Sequence, residues 1–313
     1  MKKLLLLLTI PALLMTGCNQ QKKKVDISKL KIVAPTGAPA FAFYKEANNQ
    51  NFETNSVPSN IVSMMSASSD KDIVVIDTTS GVKAINNGAP YKLAATITFG
   101  NFYIAATGND TNSHMDPGDR IILFGEHQTP DLLFHYLYGN VFDSGIEYVT
   151  NVQNAAQCLI KGKNDVTGTI VDYVFVAQPV LYNAMQKKTT IVKYLDIQQD
   201  YYDLTGGKEM IQASVFIKNT VEKKVGDAFL TNLQSNINAE IMNPNVINDN
   251  LGSLDETEVT SLYGVSPSVA TAVMQDGNGL GLGFKKAFDN KENVESFLSL
   301  FDINNLDEEV YYK

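Results

Sequence analysis

KIVAPTGAPA, residues 31–40, combines a short apolar run with a turn and a proline. The run at 31–34 predicts a β-strand. Gly37 permits the tight turn that follows and would let a ligand approach the backbone closely. Pro39 predicts a helix over 39–48, because the fixed φ of proline suits the first helical position. The stretch therefore predicts a strand–turn–helix unit of an α/β protein.

Further apolar runs alternate with helical segments on the C-terminal side of this unit. The run at 72–77 is continuous and has acidic ends, as in a strand buried inside a parallel sheet. A long strand is predicted over 91–107. A second series of alternating elements follows over 120–195, with strands predicted at 120–124, 146–149, 166–172 and 190–195. Two similar series predict two similar α/β lobes.

The order of these elements predicts two lobes that the chain joins twice. We expect lobe 1 to comprise residues 28–107 and 213–313, including a mainly helical C-terminal part, and lobe 2 to comprise residues 108–212. The passages between them are expected near 102–108 and 206–214. Closure of the lobes about such passages is the motion that this organisation predicts.

The N-terminus is typical of a bacterial lipoprotein. Two lysines precede an apolar stretch at 4–15 that is too short to span a bilayer and suits the core of a signal peptide. The following LMTGC resembles a lipobox, with an ordinary secretory signal as the alternative. We expect residues 1–17 to be removed and Cys18 to carry the lipid. The polar residues 18–27 would then tether the body to the extracytoplasmic face of the cell membrane.

Charge and cysteine content narrow the possible partners. Loss of Lys2 and Lys3 with the signal peptide takes the basic residues from 25 to 23, against 34 acidic residues, for a net charge of −11. So acidic a chain is a poor partner for nucleic acid. Cys158 is the one cysteine besides Cys18, so no disulfide is expected within the mature chain. Arg120 is the only arginine, which leaves little for an anion site built on arginine clamps.

Three segments, at 31–40, 91–100 and 171–180, resemble the NMT1/THI5-like group of type II solute-binding proteins. The resemblance covers most of 28–220 and also 283–300. It implies a type II periplasmic-binding-protein fold, with two α/β lobes joined by two crossing strands. It also implies a role in delivering a small solute to the permease of an ABC importer. Receptors of that group bind thiamine precursors, nitrate, alkanesulfonates and related solutes.

The fold class indicates where a ligand would bind. Ligands of open parallel sheets bind beyond the carboxyl ends of the strands, which selects the loops at 35–41, 77–80, 125–130 and 172–173. The strand around 98–103 would close the cleft from behind. We therefore expect ligand contacts from Thr36, Gly37, Ala38, Phe41, Asp77, Thr78, Thr79, Phe99, Asn101, Glu126, His127, Thr129, Asp172 and Tyr173.

Several of these residues have a structural alternative. The amides at the start of the helix after Gly37 could bind an anion or a carbonyl oxygen, or the glycine could serve the turn alone. Asp77 and Asp172 could accept hydrogen bonds from a ligand amine or cap the following helices. The aromatic residues near the cleft, Tyr173 among them, could stack on a ring or belong to the core.

Carboxylates and aromatic rings without arginine favour a neutral or cationic ring as the solute, such as a thiamine-type pyrimidine. A small anion such as nitrate or an alkanesulfonate is the alternative solute. A ligand-sensing surface lipoprotein that does not take part in transport is the alternative function. A zinc site formed by Glu126, His127 and His135 is less favoured than the alternative, in which the two histidines are ordinary loop and helix-surface residues. We expect a monomer without a cofactor or bound metal, and no motif of the sequence predicts an enzyme.

Overall fold

A computed structural model describes residues 25–109 and 114–313. The expected signal peptide, Cys18 and most of the expected tether lie outside the described residues. The described chain forms two β-sheets with helices packed against them. This mixed architecture confirms the predicted α/β fold class. No helix within the described ranges is long and apolar enough to cross a membrane.

The first sheet has six strands and forms the core of lobe 1. Its order is β11-β4-β10-β3-β1-β2, with strands numbered along the chain. β1 is parallel to β2 and β3, whereas β10 returns antiparallel between β3 and β4. The strands are β1 (Ile32–Pro35), β2 (Phe52–Asn55), β3 (Ile73–Asp77), β4 (Tyr91–Thr98), β10 (Ala213–Lys218) and β11 (Leu282–Lys286).

The second sheet has five strands and forms the core of lobe 2. Its order is β7-β6-β8-β5-β9, where β6 is parallel to β7 and β8, and β5 is antiparallel to both β8 and β9. The strands are β5 (Phe102–Ala106), β6 (Ile121–Phe124), β7 (Ile146–Val149), β8 (Tyr173–Ala177) and β9 (Val192–Asp196). In each sheet, the carboxyl ends of the parallel strands therefore lie at the same edge.

Twelve α-helices accompany the sheets within the described residues. The helix expected over 39–48 is much shorter, because only one turn is α-helical before a 3₁₀ turn at Tyr44–Glu46. The helices are α1 (Ala38–Phe41), α2 (Pro58–Ser63), α3 (Thr78–Asn86), α4 (Thr129–Tyr138), α5 (Val152–Lys161), α6 (Val180–Lys187), α7 (Ile197–Leu204), α8 (Lys223–Met242), α9 (Asn245–Leu251), α10 (Glu256–Tyr263), α11 (Pro267–Gln275) and α12 (Lys291–Ser299).

The chain passes from the first sheet to the second at residues 99–101. The single strand expected over 91–107 is in fact β4 and β5, which belong to different sheets. Lobe 2 therefore begins before residue 108, the boundary expected from sequence. Gly100 has φ +124°, a conformation that glycine adopts far more readily than other residues. The return passage, residues 205–212, runs from α7 into β10.

The strand expected over 166–172 is displaced along the chain. The observed strand is β8 at 173–177, a run of aromatic and β-branched residues that are all buried. The helix that follows this strand, α6, begins at Val180. Because the strand starts rather than ends near Asp172, the residues at its carboxyl end are Ala177 and Gln178.

Candidate functional site

A cavity lies between the two sheets at the edge where the parallel strands end. Its volume is about 110 Å³, well above the roughly 10–15 Å³ that one water molecule requires. The carboxyl ends of β1, β3, β6 and β8 all reach its wall, as the general rule for open α/β sheets requires. Six of the residues expected at the site lie in this wall: Thr36, Gly37, Ala38, Asp77, Asn101 and Thr129.

Asp77 ends β3 and caps the helix that follows. Its Oδ1 atom accepts a hydrogen bond from the Ser80 amide at 2.9 Å, which satisfies one of the free donors at the start of α3. The same atom lies 2.6 Å from the Thr79 hydroxyl and 2.9 Å from the Thr129 hydroxyl. No hydrogen bond to its Oδ2 is formed within the described part of the chain. Asp77 therefore combines the capping role with a free acceptor in the cavity wall.

Thr129 brings the second lobe to this cluster. It is the first residue of α4, and its hydroxyl lies 2.7 Å from that of Thr79. Asp77 Oδ1 and the two hydroxyls form a triangle with three close contacts, but the hydroxyls carry only two protons between them. At most two of the three contacts can be hydrogen bonds at any moment. Whichever two form, they tie α4 to the end of β3 across the cleft.

A second polar contact joins the lobes on another side of the cavity. Gln153, in the first turn of α5, places its Nε2 atom 3.2 Å from the hydroxyl oxygen of Thr36. The Oε1 atom of Gln153 is buried and has no partner among the described residues. Because a hydroxyl can donate as well as accept, Thr36 is compatible with either orientation of this amide.

A chain of amide groups forms the rear wall, where the two passages between the lobes meet. The Asn101 Nδ2 group donates to the carbonyl oxygen of Gln178 at 2.8 Å. The Gln212 Nε2 group donates to Asn101 Oδ1, also at 2.8 Å. Asn101 lies in the first passage, Gln212 lies in the second, and Gln178 follows β8 of lobe 2. These hydrogen bonds connect both passages to the second sheet directly behind the cavity.

The cavity contains almost no formal charge. Asp77 is the only ionisable side chain among the described residues that line it. Arg120 lies at the opposite, amino-terminal edge of the second sheet, where its guanidinium donates to the Ser144 carbonyl oxygen at 3.3 Å. Partial positive charge comes instead from the starts of α4, α5 and α6, which reach the wall. The described residues of the site therefore offer a ligand polar groups and a carboxylate, but no cationic side chain.

Three residues expected to contact a ligand belong to the core or to its hydrogen bonds. Phe41 is fully buried and packs on Tyr263, with the ring centroids 4.9 Å apart. Thr78 is also buried, and its hydroxyl lies 3.0 Å from the Gln212 carbonyl oxygen. Thr79 reaches the site only through Asp77 and Thr129. These side chains support the wall from behind, because Phe41 packs in the core and the two threonine hydroxyls contact neighbouring polar groups.

Phe99 also lies outside the cavity wall. Its ring contacts Lys285, whose ammonium group lies 5.5 Å from the ring centroid. Residue 99 follows the end of β4, where the chain leaves the first sheet. The neighbouring Asn101, two residues further on, is the part of this passage that faces the cavity.

Glu126 and His127 extend into solvent. Their side chains are 56% and 87% exposed, and Glu126 Oε1 lies 3.9 Å from His127 Nε2. His135 Nε2 lies 3.2 Å from Asp131 Oδ1, and His127 Nδ1 lies 4.0 Å from Asp131 Oδ2. No group of three metal-binding side chains is found within residues 25–109 and 114–313. The loop at 125–130 therefore contributes to the cavity through Gln128, Thr129 and Pro130.

Asp172 and Tyr173 lie at the edge of the second sheet opposite the cavity. Asp172 Oδ2 accepts a hydrogen bond from the Arg120 amide at 2.9 Å, just before β6. Tyr173 is buried at the start of β8. Their expected place at the site depended on a strand ending at residue 172, and β8 begins where that strand was expected to end.

The start of α1 offers fewer free donors than its sequence indicates. The Ala40 amide donates to the Gly37 carbonyl oxygen at 3.0 Å, and the Gly37 amide donates to the Tyr263 carbonyl oxygen at 3.0 Å. Gly37 has φ +103°, so the turn itself requires glycine. The turn alone therefore accounts for the glycine at position 37.

Five amide side chains that line the cavity are not among the contacts predicted from the sequence. Gln178 would have been found if β8 had been placed over the aromatic run at 173–177. Asn151 and Gln153 belong to the start of α5, which has the asparagine cap of a typical helix. Nothing in the local pattern marks Gln212, because only the antiparallel return of β10 brings it to the cavity. The missed residues are Gln128, Asn151, Gln153, Gln178 and Gln212.

Two α/β lobes that are joined by two passages and enclose a cavity between their sheets constitute the type II periplasmic-binding-protein fold. In the first sheet, β10 returns between β3 and β4 after the chain has formed the second sheet. This arrangement places both passages beside each other behind the cavity.

Solved structures share this fold, although no family model and no curated protein sequence matches the chain. An ABC transporter protein from Parabacteroides distasonis is 20% identical with a TM-score of 0.69, over 91% of this chain and 98% of that one. The aliphatic sulphonate binding protein SsuA of Escherichia coli is 10% identical with a TM-score of 0.61, over 91% and 92%. The zinc-bound ligand-binding component of an ABC-type import system from Staphylococcus aureus is 12% identical with a TM-score of 0.60, over 89% and 93%. At such identities, the likeness establishes the fold.

Proposed function

We propose that the chain is an extracytoplasmic solute-binding lipoprotein of an ABC importer. The observation that carries the proposal is a cavity enclosed by both lobes and bridged by the contact between Asp77 and Thr129. A solute held there would touch both lobes and stabilise their closed arrangement, which a permease could recognise. The lipoprotein signal and Cys18 would place the protein, as a monomer, on the outer face of the cell membrane. No catalytic role is proposed.

The proposed solute is a small uncharged or cationic ring, such as a thiamine-type pyrimidine from a vitamin precursor. The supporting features are the single carboxylate of Asp77, the absence of a cationic side chain among the described lining residues, and the apolar surfaces of Phe102 and Phe124. The cavity volume of about 110 Å³ suits a small solute. The sequence resemblance to the NMT1/THI5-like group is compatible with this choice, because receptors for thiamine precursors belong to that group.

A small anion such as nitrate or an alkanesulfonate is the second candidate. The E. coli neighbour is an aliphatic sulphonate binding protein, and the starts of α4, α5 and α6 bring partial positive charge to the cavity. Against this candidate, an anion would lie beside the Asp77 carboxylate. A ligand-sensing lipoprotein without a transport role would have the same site, and a permease that binds the solute-loaded protein would exclude it.

Thermal-shift measurements test the proposed function. The purified protein is screened against vitamins, nucleobases, amino acids, inorganic anions and sulfonates. The midpoint should rise with the concentration of a true ligand, since the added stability follows RT ln(1 + [L]/Kd). Absence of any stabilising solute, together with no small molecule retained in native mass spectrometry, would contradict a solute-binding role.

Asp77→Asn should weaken the binding of a basic or N–H-bearing solute about 10–100-fold, which corresponds to the loss of a hydrogen bond to a charged group. Asparagine keeps the size of the side chain and still caps α3, but it removes the charge and turns one acceptor into a donor. Isothermal titration with the solute found in the screen measures the effect. Asp172→Asn is the matched control, because Asp172 lies at the opposite edge of the sheet, and its affinity should equal that of the wild type. If both variants bound the solute with wild-type affinity, Asp77 would serve only as a helix cap.

A further inference from the structure

Gln212 has an amide orientation that its neighbours determine. The carbonyl oxygen of Gln178 can only accept, so Asn101 must present its Nδ2 group there, at 2.8 Å. Asn101 therefore presents Oδ1 to Gln212. Gln212 must therefore donate to this oxygen from its Nε2 group, and the two atoms are 2.8 Å apart. The remaining atom of the Gln212 amide, Oε1, is consequently an acceptor in every arrangement of this chain.

That oxygen has no donor in the described protein. Gln212 is 8% exposed, lies in the cavity wall, and has an Oε1 atom buried without a hydrogen-bond partner. Leaving a buried amide oxygen without a donor is destabilising. Its own backbone groups are already used, since the Gln212 amide donates to the Thr98 carbonyl oxygen and the Gln212 carbonyl oxygen accepts from the Thr78 amide. Because Gln212 lies in the cavity wall, a ligand donor that reached this oxygen would add a favourable interaction.

Gln153 has a similar unpartnered oxygen but lacks the same constraint. Its other amide atom faces the hydroxyl of Thr36, which accepts or donates equally well. Rotation of the Gln153 amide would therefore offer a ligand either a donor or an acceptor at little cost. Gln212 cannot make this exchange without placing two oxygen atoms against each other. Gln212, and not Gln153, is the residue able to discriminate between ligand groups.

We infer that Gln212 is a specificity-determining residue that selects solutes with an N–H donor, and that Asn101 and the Gln178 carbonyl group hold it in the accepting orientation. The inference rests on the proposed function, because it assigns a solute class to the same cavity. Asp77 supplies a second free acceptor in the same wall. A heterocyclic amine satisfies such acceptors, whereas nitrate or a sulfonate offers oxygen atoms that would be repelled by them.

The test compares 4-amino-2-methylpyrimidine with 2,4-dimethylpyrimidine, which replaces the amino group by a methyl group of similar size. The wild-type protein should bind the amino compound about tenfold or more tightly, since the methyl compound leaves the buried oxygen unpaired. Gln212→Met should abolish this preference. Gln234→Met is the control, because Gln234 is an exposed residue of α8 that does not line the cavity, and it should retain the preference. Circular dichroism and thermal midpoints confirm that each variant is folded.

Asn101→Leu provides a second variant that leaves Gln212 in place. Without Asn101 the Gln212 amide can turn, so the amino preference should fall several-fold. A preserved tenfold preference in both Gln212→Met and Asn101→Leu would overturn the inference. Binding of ethanesulfonate or nitrate in place of the amino compound would also overturn it. If another solute of the broad screen binds while the amino compound does not, only this inference fails, whereas binding of no solute at all also removes the proposed function.

Discussion

Replacement of Phe41 by alanine is expected to lower the free energy of unfolding by about 3–5 kcal/mol, the usual cost of truncating a buried phenylalanine. Phe41 has no exposed surface, and its ring lies 4.9 Å from that of Tyr263 in α10. Removal of the ring would leave a cavity between α1 and α10 that the backbone cannot close. Urea unfolding followed by circular dichroism measures the change.

Phe288→Ala is the control for this prediction. Phe288 is 36% exposed and contacts Tyr311 edge-on, with the ring centroids 6.1 Å apart. Its truncation should cost about 1 kcal/mol or less, as for partly exposed positions in general. If Phe41→Ala instead left the urea midpoint unchanged and weakened solute binding, Phe41 would be a ligand contact, as its position in the sequence had suggested.

The second large effect is expected at Glu240, in the interior of α8. Both carboxyl oxygens are buried and have no hydrogen-bond partner among the residues described. The nearby Lys45 directs its ammonium group to Asn236 Oδ1, at 2.9 Å. Burial raises the pKa of Glu240 well above its usual 4.5, and the positive charge of Lys45 opposes this only in part. The folded protein therefore favours the neutral carboxylic acid.

Glu240→Leu should raise the free energy of unfolding at pH 8 by about 1–3 kcal/mol, because an apolar side chain of similar size removes unpaired buried polar atoms. The gain should depend on pH. The folded-state pKa of Glu240 is raised above the unfolded value, so the stability linked to its proton is complete below pH 4.5. That stability is lost as the pH rises through the folded-state pKa. The advantage of leucine should consequently grow from pH 5 to pH 8.

Glu240→Gln separates charge from polarity. Glutamine cannot ionise but still buries two polar atoms, so it should resemble the wild type at pH 5 and exceed it in stability at pH 8. Urea midpoints of the three proteins at both pH values make the comparison. A constant difference between leucine and wild type across this range would show that Glu240 does not gain a proton on folding.

The sequence alone predicted the fold class, which the structure confirms, and the strand ends at which the cavity lies. Continuous apolar runs such as 72–77 are long enough to specify buried strands, and strand-to-helix turns such as the one at Gly37 follow the ends of those strands. Thr36, Asp77 and Thr129 were accordingly predicted beside the cavity, where they lie. The shortage of arginine also followed directly from composition.

The tertiary structure decided which residues complete the cavity wall. The sequence predicts Asp172 at the carboxyl end of a strand over 166–172, whereas the observed strand β8 begins at Tyr173. A local apolar pattern does not determine where a strand begins. Gln212 comes to the cavity only because β10 pairs with β3 and β4, strands more than a hundred residues before it. The pattern of apolar residues indicates whether a segment is buried, but the pairing of distant strands depends on the packing of the whole chain. The amide chain through Asn101 and Gln212 is therefore a property of the fold, even though each of its side chains is visible in the sequence.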